Sequence, residues 1–299
     1  MRSGSGSPRP RLKPWYRLAT CERGLTARFG SSVLLFEGAA ARELLPGLLP
    51  LLDGTRTVEE LADCLGPRTR PAVERVVEML DAHGLLLDTE PPAGAAGELL
   101  AATAWKVRDL AEARVAVLGE GETAAEAARL LRASGVGHVD TDWDAELVVA
   151  APDDDVDAQL RDWNAVALDR RTPWLPITPF DGTIAAVGPL VVPGETACHA
   201  CLTVRRSADP HGALERPLYS RYPSSPALRT MSAAVATTTA VRWLATGDAP
   251  VVGAILALEY ETQTVTRHAV FRVPRCPACS ALATTATLVP WGRDDALAA

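Results

Sequence analysis

The chain has 299 residues, 47% of them hydrophobic, and a formal net charge of −7 at pH 7. A negative chain disfavours non-specific nucleic-acid binding, which needs a cationic face, and this length most naturally forms two domains. No stretch approaches the roughly 18 consecutive apolar residues of a membrane span, and residues 1–10 lack the apolar core of a secretion signal. We therefore expect a cytoplasmic protein with neither a nucleic-acid nor a membrane partner.

The first third of the chain predicts a flexible tail at residues 1–14 and a compact domain at residues 15–90. Periodicity and turn residues predict three short strands, three helices and a returning strand, at residues 15–20, 25–29, 32–36, 39–52, 57 onward, 71–83 and 85–87. The second helix opens with Thr57-Val-Glu-Glu60, the pattern of a capping box. Strands, three helices and a returning wing strand together predict a winged helix-turn-helix.

Charge argues against the usual use of that shape, which is DNA binding. Residues 1–90 contain twelve Lys and Arg against twelve Asp and Glu, and the third helix carries Glu74, Glu78 and Asp81. A helix that reads a DNA groove should not present acids to phosphates, so a transcription regulator is the less favoured alternative.

The same shape can capture a peptide, because an extended peptide can add to a strand edge and lay apolar side chains against a helix. The third strand and the third helix would form that cleft. The candidate peptide-binding residues are Val33, Leu34, Leu35, Phe36, Val73, Val76, Val77 and Leu80. The alternative is that these side chains are simply core.

Residues 91–104 form a linker by composition, and residues 105–299 form the second domain. This domain opens with a buried strand, then Gly119-x-Gly121-x-x-Ala124 and a helix, with Asp140 about 20 positions beyond the glycines, as in a dinucleotide-binding fold. Glu120 and Glu122 place negative charge where phosphates would bind. We therefore expect a Rossmann-like α/β core without bound nucleotide. Nucleotide binding by Gly119, Gly121 and Asp140 is the alternative.

Two C-x-x-C pairs, Cys198/Cys201 and Cys276/Cys279, lie 75 positions apart. Such turns point both sulfurs at one place, so two of them can complete a tetrahedral thiolate site for Zn²⁺. All four ligands would come from the protein, which predicts a structural zinc rather than a catalytic one. Redox or disulfide chemistry is the alternative.

The phrase Val187-Gly-Pro-Leu-Val-Val-Pro-Gly-Glu-Thr-Ala-Cys-His-Ala-Cys-Leu202, with segments 147–154, 163–168 and 173–176, resembles E1-like, ThiF-type adenylating proteins. The chain is most similar to the branch in biosynthesis of thiazole/oxazole-modified peptides, thiopeptides included. There a precursor-peptide recognition element is fused to a degenerate E1-like domain. The resemblance implies that the chain binds the leader of a ribosomal precursor peptide, serves a YcaO-type cyclodehydratase that forms azolines, and forms a possible homodimer.

Departures from active E1 proteins carry further implications. In the active members, a segment between the second and next core strands grips ATP phosphates with Arg and Lys, and residues 142–146 leave no room for it. There is also no cysteine between Cys201 and Cys276 to act as a nucleophile. Arg205, Arg206 and Arg221 are conceivable substitutes, although surface arginine is the default interpretation. The resemblance therefore implies a scaffold that does not use ATP. The alternative is an adenylyltransferase that activates a peptide or carrier-protein carboxylate.

Overall fold

Two compact units make up the protein, one up to Val107 and one from Arg108. The computed structural model describes residues 9–87, 97, 99–100, 107–152, 156–207 and 225–280. Most of the predicted linker at residues 91–104 lies outside the described residues.

The N-terminal unit contains an antiparallel sheet in the order β1-β2-β3, with strands at Arg17–Cys21, Gly24–Phe29 and Ser32–Glu37. The three predicted strands are confirmed. Gly30 makes the second turn with a φ of +57°, a conformation that glycine adopts without strain. In the described part of the chain, β3 pairs only with β2, so its outer edge has no partner strand.

Helices follow the sheet, and the predicted single helix over residues 39–52 is wrong. Three short elements stand there instead: α1 at Ala39–Glu43, α2 at Leu45–Leu48 and a 3₁₀ turn at Leu49–Leu51. Pro46 and Pro50 lie at the starts of the second and third, because proline has no N–H to continue a preceding helix.

The two later helices, α3 at Val58–Leu65 and α4 at Arg70–Ala82, confirm their predictions. Thr57 accepts a hydrogen bond from the Glu60 N–H, and the Glu60 carboxylate accepts one from the Thr57 N–H at 2.7 Å. The predicted capping box is therefore present.

The predicted wing strand at residues 85–87 forms only a single bridge, between Leu86 and Leu12. The Lys13 N–H donates to the Leu85 carbonyl and the Leu87 N–H to the Arg11 carbonyl, each at 2.9 Å. This pairing ties residues 11–13 to the unit. A winged helix-turn-helix is thus not confirmed by the described residues.

A seven-stranded mixed sheet forms the centre of the second unit, in the order β10-β9-β8-β7-β6-β4-β5. Strands β5, β4, β6 and β7 pair in parallel, while the β7–β8, β8–β9 and β9–β10 pairs are antiparallel. In chain order from β4 the strands are Arg114–Leu118, His138–Asp140, Leu147–Ala150, Trp174–Thr178, Ile184–Val187, Ala254–Glu259 and Thr264–Ala269. The predicted α/β class of this unit is confirmed.

Helices cover both faces of this sheet. Helices α5 (Glu122–Ala133) and α8 (Pro226–Thr246) pack together, and α8 also packs on β7 and β8. On the other face, α6 (Val156–Arg170) and α7 (His199–Ser207) share a core with Trp174 and the clustered cysteines. In the described part of the chain, no helix combines the length and apolar character needed to cross a bilayer.

Candidate metal centre and peptide groove

The four predicted cysteine ligands come together beside α7, with all their Sγ atoms within 4.8 Å of one another. The Sγ distances are 3.9 Å for Cys198–Cys201, 3.7 Å for Cys198–Cys276 and 3.5 Å for Cys201–Cys279. Zn–S bonds of about 2.3 Å place the sulfurs of a tetrahedral site about 3.8 Å apart. A disulfide requires about 2.05 Å. The donor set and its spacing therefore fit a metal ion held by four thiolates.

Local hydrogen bonds place the first pair of cysteines. The Cys201 N–H donates to the Cys198 carbonyl at 3.0 Å, which turns both side chains to one side. The buried Asn164 side chain on α6 accepts a hydrogen bond from the His199 N–H at 2.9 Å, and so fixes the start of α7. Asn164 was not predicted as a site residue, because no sequence pattern around it indicates that it accepts a hydrogen bond from a helix start 35 positions away.

The cysteines have unequal proton affinities. Burial raises the pKa of the Cys198 thiol well above its ordinary value and also raises the pKa of Cys279. Burial acts in the same sense on Cys276, but hydrogen bonds from the backbone N–H groups of Cys279 and Ala278 hold its pKa below the ordinary value. Buried thiols that resist ionisation become thiolates beside a cation, which is the situation a bound metal creates.

Two arginines join the loops that carry the two cysteine pairs. Arg272 donates from Nη1 to the Gly194 carbonyl at 2.7 Å and from Nη2 to the Cys279 carbonyl at 3.3 Å. Arg205 on α7 donates from Nε to the Phe271 carbonyl at 2.8 Å. Four thiolates around Zn²⁺ leave a net charge of about −2, so these guanidinium groups also supply compensating charge. Arg205 therefore has a structural role, and Arg221 lies outside the described residues.

The glycine loop after β4 is packed against the protein itself. Gly119 has a φ of +119°, and a Cβ there would lie 2.0 Å from the carbonyl oxygen of Ala151 at the end of β6. The absence of a side chain is thus explained by the approach of a neighbouring strand end, without a phosphate. Gly121 has a φ of −86°, which any residue adopts.

Glu122, the first residue of α5, forms an ion pair with Arg229 on α8. The two side chains border a cavity of about 180 Å³ whose remaining wall is mostly apolar, with Ile177, Phe180 and Leu228 among its residues. Carboxyl ends of parallel strands are where open α/β sheets generally bind ligands. Here the carboxylate of Glu122 at the start of α5 pairs with the guanidinium of Arg229 from the same unit.

Asp140, the predicted ribose ligand, is exposed at the end of the edge strand β5. Its Oδ1 accepts the N–H of Asp142 at 2.9 Å, and Asp142 in turn accepts the N–H of Asp144 at 3.1 Å. These consecutive turns carry the chain from β5 to β6 without a helix. The connecting residues 141–146 also include no basic side chain.

Candidate peptide-binding residues on β3 divide between its two faces. Leu34 and Phe36 face the core of the unit, whereas Val33 is 50% and Leu35 37% exposed on the outer face. In the described part of the chain, the edge of β3 thus combines main-chain groups that have no partner strand with accessible apolar side chains.

The predicted helix residues Val73, Val76 and Leu80 are buried in the core of the unit, and Val77 is partly buried against it. The side of α4 toward β3 is marked by His83, whose ring lies edge-on to Phe36 with centroids 6.0 Å apart. Ala72, Val76 and Met79 share that side with His83, at spacings of four, three and four residues.

We call the β3 edge together with the end of α4, where His83 lies against Phe36, the β3–α4 groove. Sequence periodicity identified the core face of α4 and missed its flank, because Met79 and His83 fall outside the apolar stripe.

No known protein family and no curated protein sequence matches the chain. Among solved structures, the heterocyclase TruD matches with a TM-score of 0.72 and 24% identity over 91% of this chain and 42% of that one. The microcin C7 biosynthetic enzyme MccB in complex with N-formylated MccA matches with a TM-score of 0.61 and 14% identity, over 91% and 99% of the two chains. E. coli MccB with ATP matches with a TM-score of 0.60 and 13% identity, over 90% and 99%.

At these identities the comparisons show a shared fold. This protein spans about two fifths of the length of TruD. The fold is thus one also found in a heterocyclase and in a microcin C7 biosynthetic enzyme.

Proposed function

We propose that this protein binds the leader of a ribosomally made precursor peptide in the β3–α4 groove and presents the rest of that peptide to a YcaO-type cyclodehydratase. The observation that carries the proposal is the edge of β3, which has no partner strand in the described part of the chain, with Val33 and Leu35 exposed along it. An added strand would gain main-chain hydrogen bonds from the edge and contacts with the exposed apolar side chains along it.

The α/β unit supports a non-catalytic role. Its glycine loop is packed against Ala151, Glu122 is paired with Arg229, and Asp140 holds a turn. Groups that would contact a nucleotide are thus engaged with the protein. This unit would then serve as a rigid scaffold, and the four cysteines would hold one structural zinc that joins α7 to the segment after β10.

The partner is inferred from the length of the heterocyclase. TruD is described as a heterocyclase, and the matched region is 42% of its chain. We propose that the bond-forming part lies outside the residues of this protein and that the YcaO-type enzyme supplies it. Holding the peptide near that enzyme raises its effective concentration without adding chemistry to this chain.

Fluorescence anisotropy with labelled peptides from the short open reading frames beside the gene tests the proposal. We expect micromolar or tighter binding to one of them and a loss of about tenfold or more in Leu35→Glu and Val33→Glu. Val265→Glu is the matched control, since Val265 is 47% exposed on the edge strand β10 of the other unit. Equal binding by all variants, or no binding to any peptide, would overturn the proposal.

A second candidate function is an E1-like adenylyltransferase, favoured by the cavity at the strand ends and by the fold shared with MccB. A ligand that binds only the folded state at 100 times its Kd stabilises a protein by about 2.7 kcal/mol. Thermal unfolding with saturating ATP and Mg²⁺, together with pyrophosphate exchange, separates the two functions. Stabilisation and exchange would establish the enzyme, whereas neither is expected for the scaffold.

A further inference from the structure

Two arginines face each other on the outer face of the N-terminal sheet. Arg17 on β1 lies directly opposite Arg28 on β2, and Arg28 lies directly opposite Val33 on β3. Both guanidinium groups are exposed, and neither makes an ion pair or a side-chain hydrogen bond among the described residues. Like charges directly opposite in a sheet are unfavourable. The Arg17–Arg28 row would therefore be stabilised by a negative charge, which the sheet itself does not provide.

The neighbouring charges do not fill that place. Glu37, the acid of β3, pairs with Arg23 at the other end of the sheet. The next row on the same face consists of Ala19, Thr26 and Leu35, which is uncharged. The outer face therefore has a cationic row that ends at Val33 and an uncharged row that ends at Leu35.

A strand added to the edge of β3 would continue both rows. It would lie two strand spacings, about 9.6 Å, from β2. An arginine on β2 and a glutamate on the added strand can together span that distance if the side chain between them on β3 is small. Val33 is that small side chain. The methylene groups of Arg28 can pack over it and place the guanidinium near the added strand. Residues of the added strand next to Leu35 would meet an apolar surface, and those between would face the end of α4.

We propose that the occupant of the β3 edge is a peptide strand with an acidic residue beside Val33. Its apolar residues would follow beside Leu34, Leu35 and Phe36. The inference rests on the proposed function and specifies the chemical pattern that the same groove would recognise. Arg28 would be the specificity-determining residue, with Arg17 strengthening the field around it.

Panning of the full-length protein against a displayed library of random peptides gives the test. We expect the enriched peptides to share an acid next to a short apolar run. Affinity for such a peptide should fall about fivefold in Arg28→Glu, and exchanging the peptide's acid for lysine should restore it in that variant. Arg42→Glu, on α1 and equally exposed, is the control and should bind as the wild type does.

The remaining outcomes separate this inference from the function on which it rests. If replacing the peptide's acid or Arg28 leaves the affinity unchanged while Leu35→Glu abolishes binding, the groove binds peptides and the acidic preference is wrong. If no peptide is enriched by the wild type over Leu35→Glu, the peptide-binding function is wrong and the preference falls with it.

Discussion

The two sheets of this protein differ in what they leave open. In the N-terminal unit, the edge of β3 has unpaired main-chain groups and exposed apolar side chains among the described residues. In the α/β unit, at the strand ends that generally bind ligands, the glycine loop is packed against Ala151, and the Glu122–Arg229 ion pair borders the cavity beside it. A fold therefore indicates where a site can lie, and the side chains at that place decide whether it is open.

The largest expected effect concerns the cysteine cluster of the α/β unit. Cys198→Ala should abolish stoichiometric zinc binding and lower the unfolding free energy of this unit by about 4 kcal/mol or more, because losing a metal ligand leaves buried thiolates without a cation. Elemental analysis for zinc and thermal unfolding measure both quantities. Cys64→Ala, at an exposed cysteine outside the cluster, is the control. A wild-type protein without metal, or a variant that retains it, would contradict this.

A second substitution tests whether the glycine loop is closed by the protein itself. Gly119→Ala should destabilise the α/β unit by about 2 kcal/mol more than Gly182→Ala, since overpacking adds to the backbone strain that both share. The two glycines have φ values of +119° and +109°, but a Cβ at Gly182 would meet nothing within 4 Å. Chemical denaturation of both variants gives the difference. Equal destabilisation would mean that Ala151 can move aside and the loop can open.

In the N-terminal unit, Thr57→Ala should lower stability by about 1 kcal/mol by removing the cap of α3. The hydrogen bond from the Thr57 N–H, then that from its side chain, lowers the pKa of Glu60. A carboxyl with a lowered pKa stabilises the fold above its ordinary pKa and loses that contribution as pH falls through the folded one. The gap between the wild type and Thr57→Ala should therefore narrow in acid.

Hydrogen exchange of the α3 amides at neutral pH and below the ordinary glutamate pKa of 4.5 measures that gap. Thr264→Ala on β10 should leave α3 unchanged. A gap that stays the same or widens in acid would show that the hydrogen bond between the Thr57 side chain and Glu60 does not operate in solution.

The smallest expected effect is at the ion pair beside the cavity. Glu122→Gln should change stability by less than about 0.5 kcal/mol, because the Glu122 side chain is 76% exposed and such pairs are screened by water and salt. We also expect no stabilisation by ATP in this variant, since the Gly119 loop stays packed. Differential scanning fluorimetry with Mg²⁺-ATP measures this. If Glu122→Gln gains ATP binding that the wild type lacks, the ion pair alone closes the site.

Local chemistry explains which sequence predictions succeeded. The capping box at Thr57 and the strand–glycine–helix order after residue 114 follow from short-range patterns, and the structure confirms both. The single helix predicted over residues 39–52 failed because Pro46 and Pro50 divide it, which the apolar periodicity concealed. The predicted wing strand failed because, among the described residues, it pairs only with the segment at residues 11–13, which sequence patterns had left as a tail.

The sequence alone determined the donor chemistry of the cysteine cluster, because a C-x-x-C spacing constrains its own two sulfurs. It also determined the core stripe of α4. Tertiary structure alone decided that the two cysteine pairs meet, that Asn164 and Arg272 hold their loops, and that Gly119 lies against Ala151. It also decided that His83, at the end of α4, lies against Phe36 of β3. These contacts join residues far apart in the chain, and short-range periodicity carries no information about which distant surfaces will pack together.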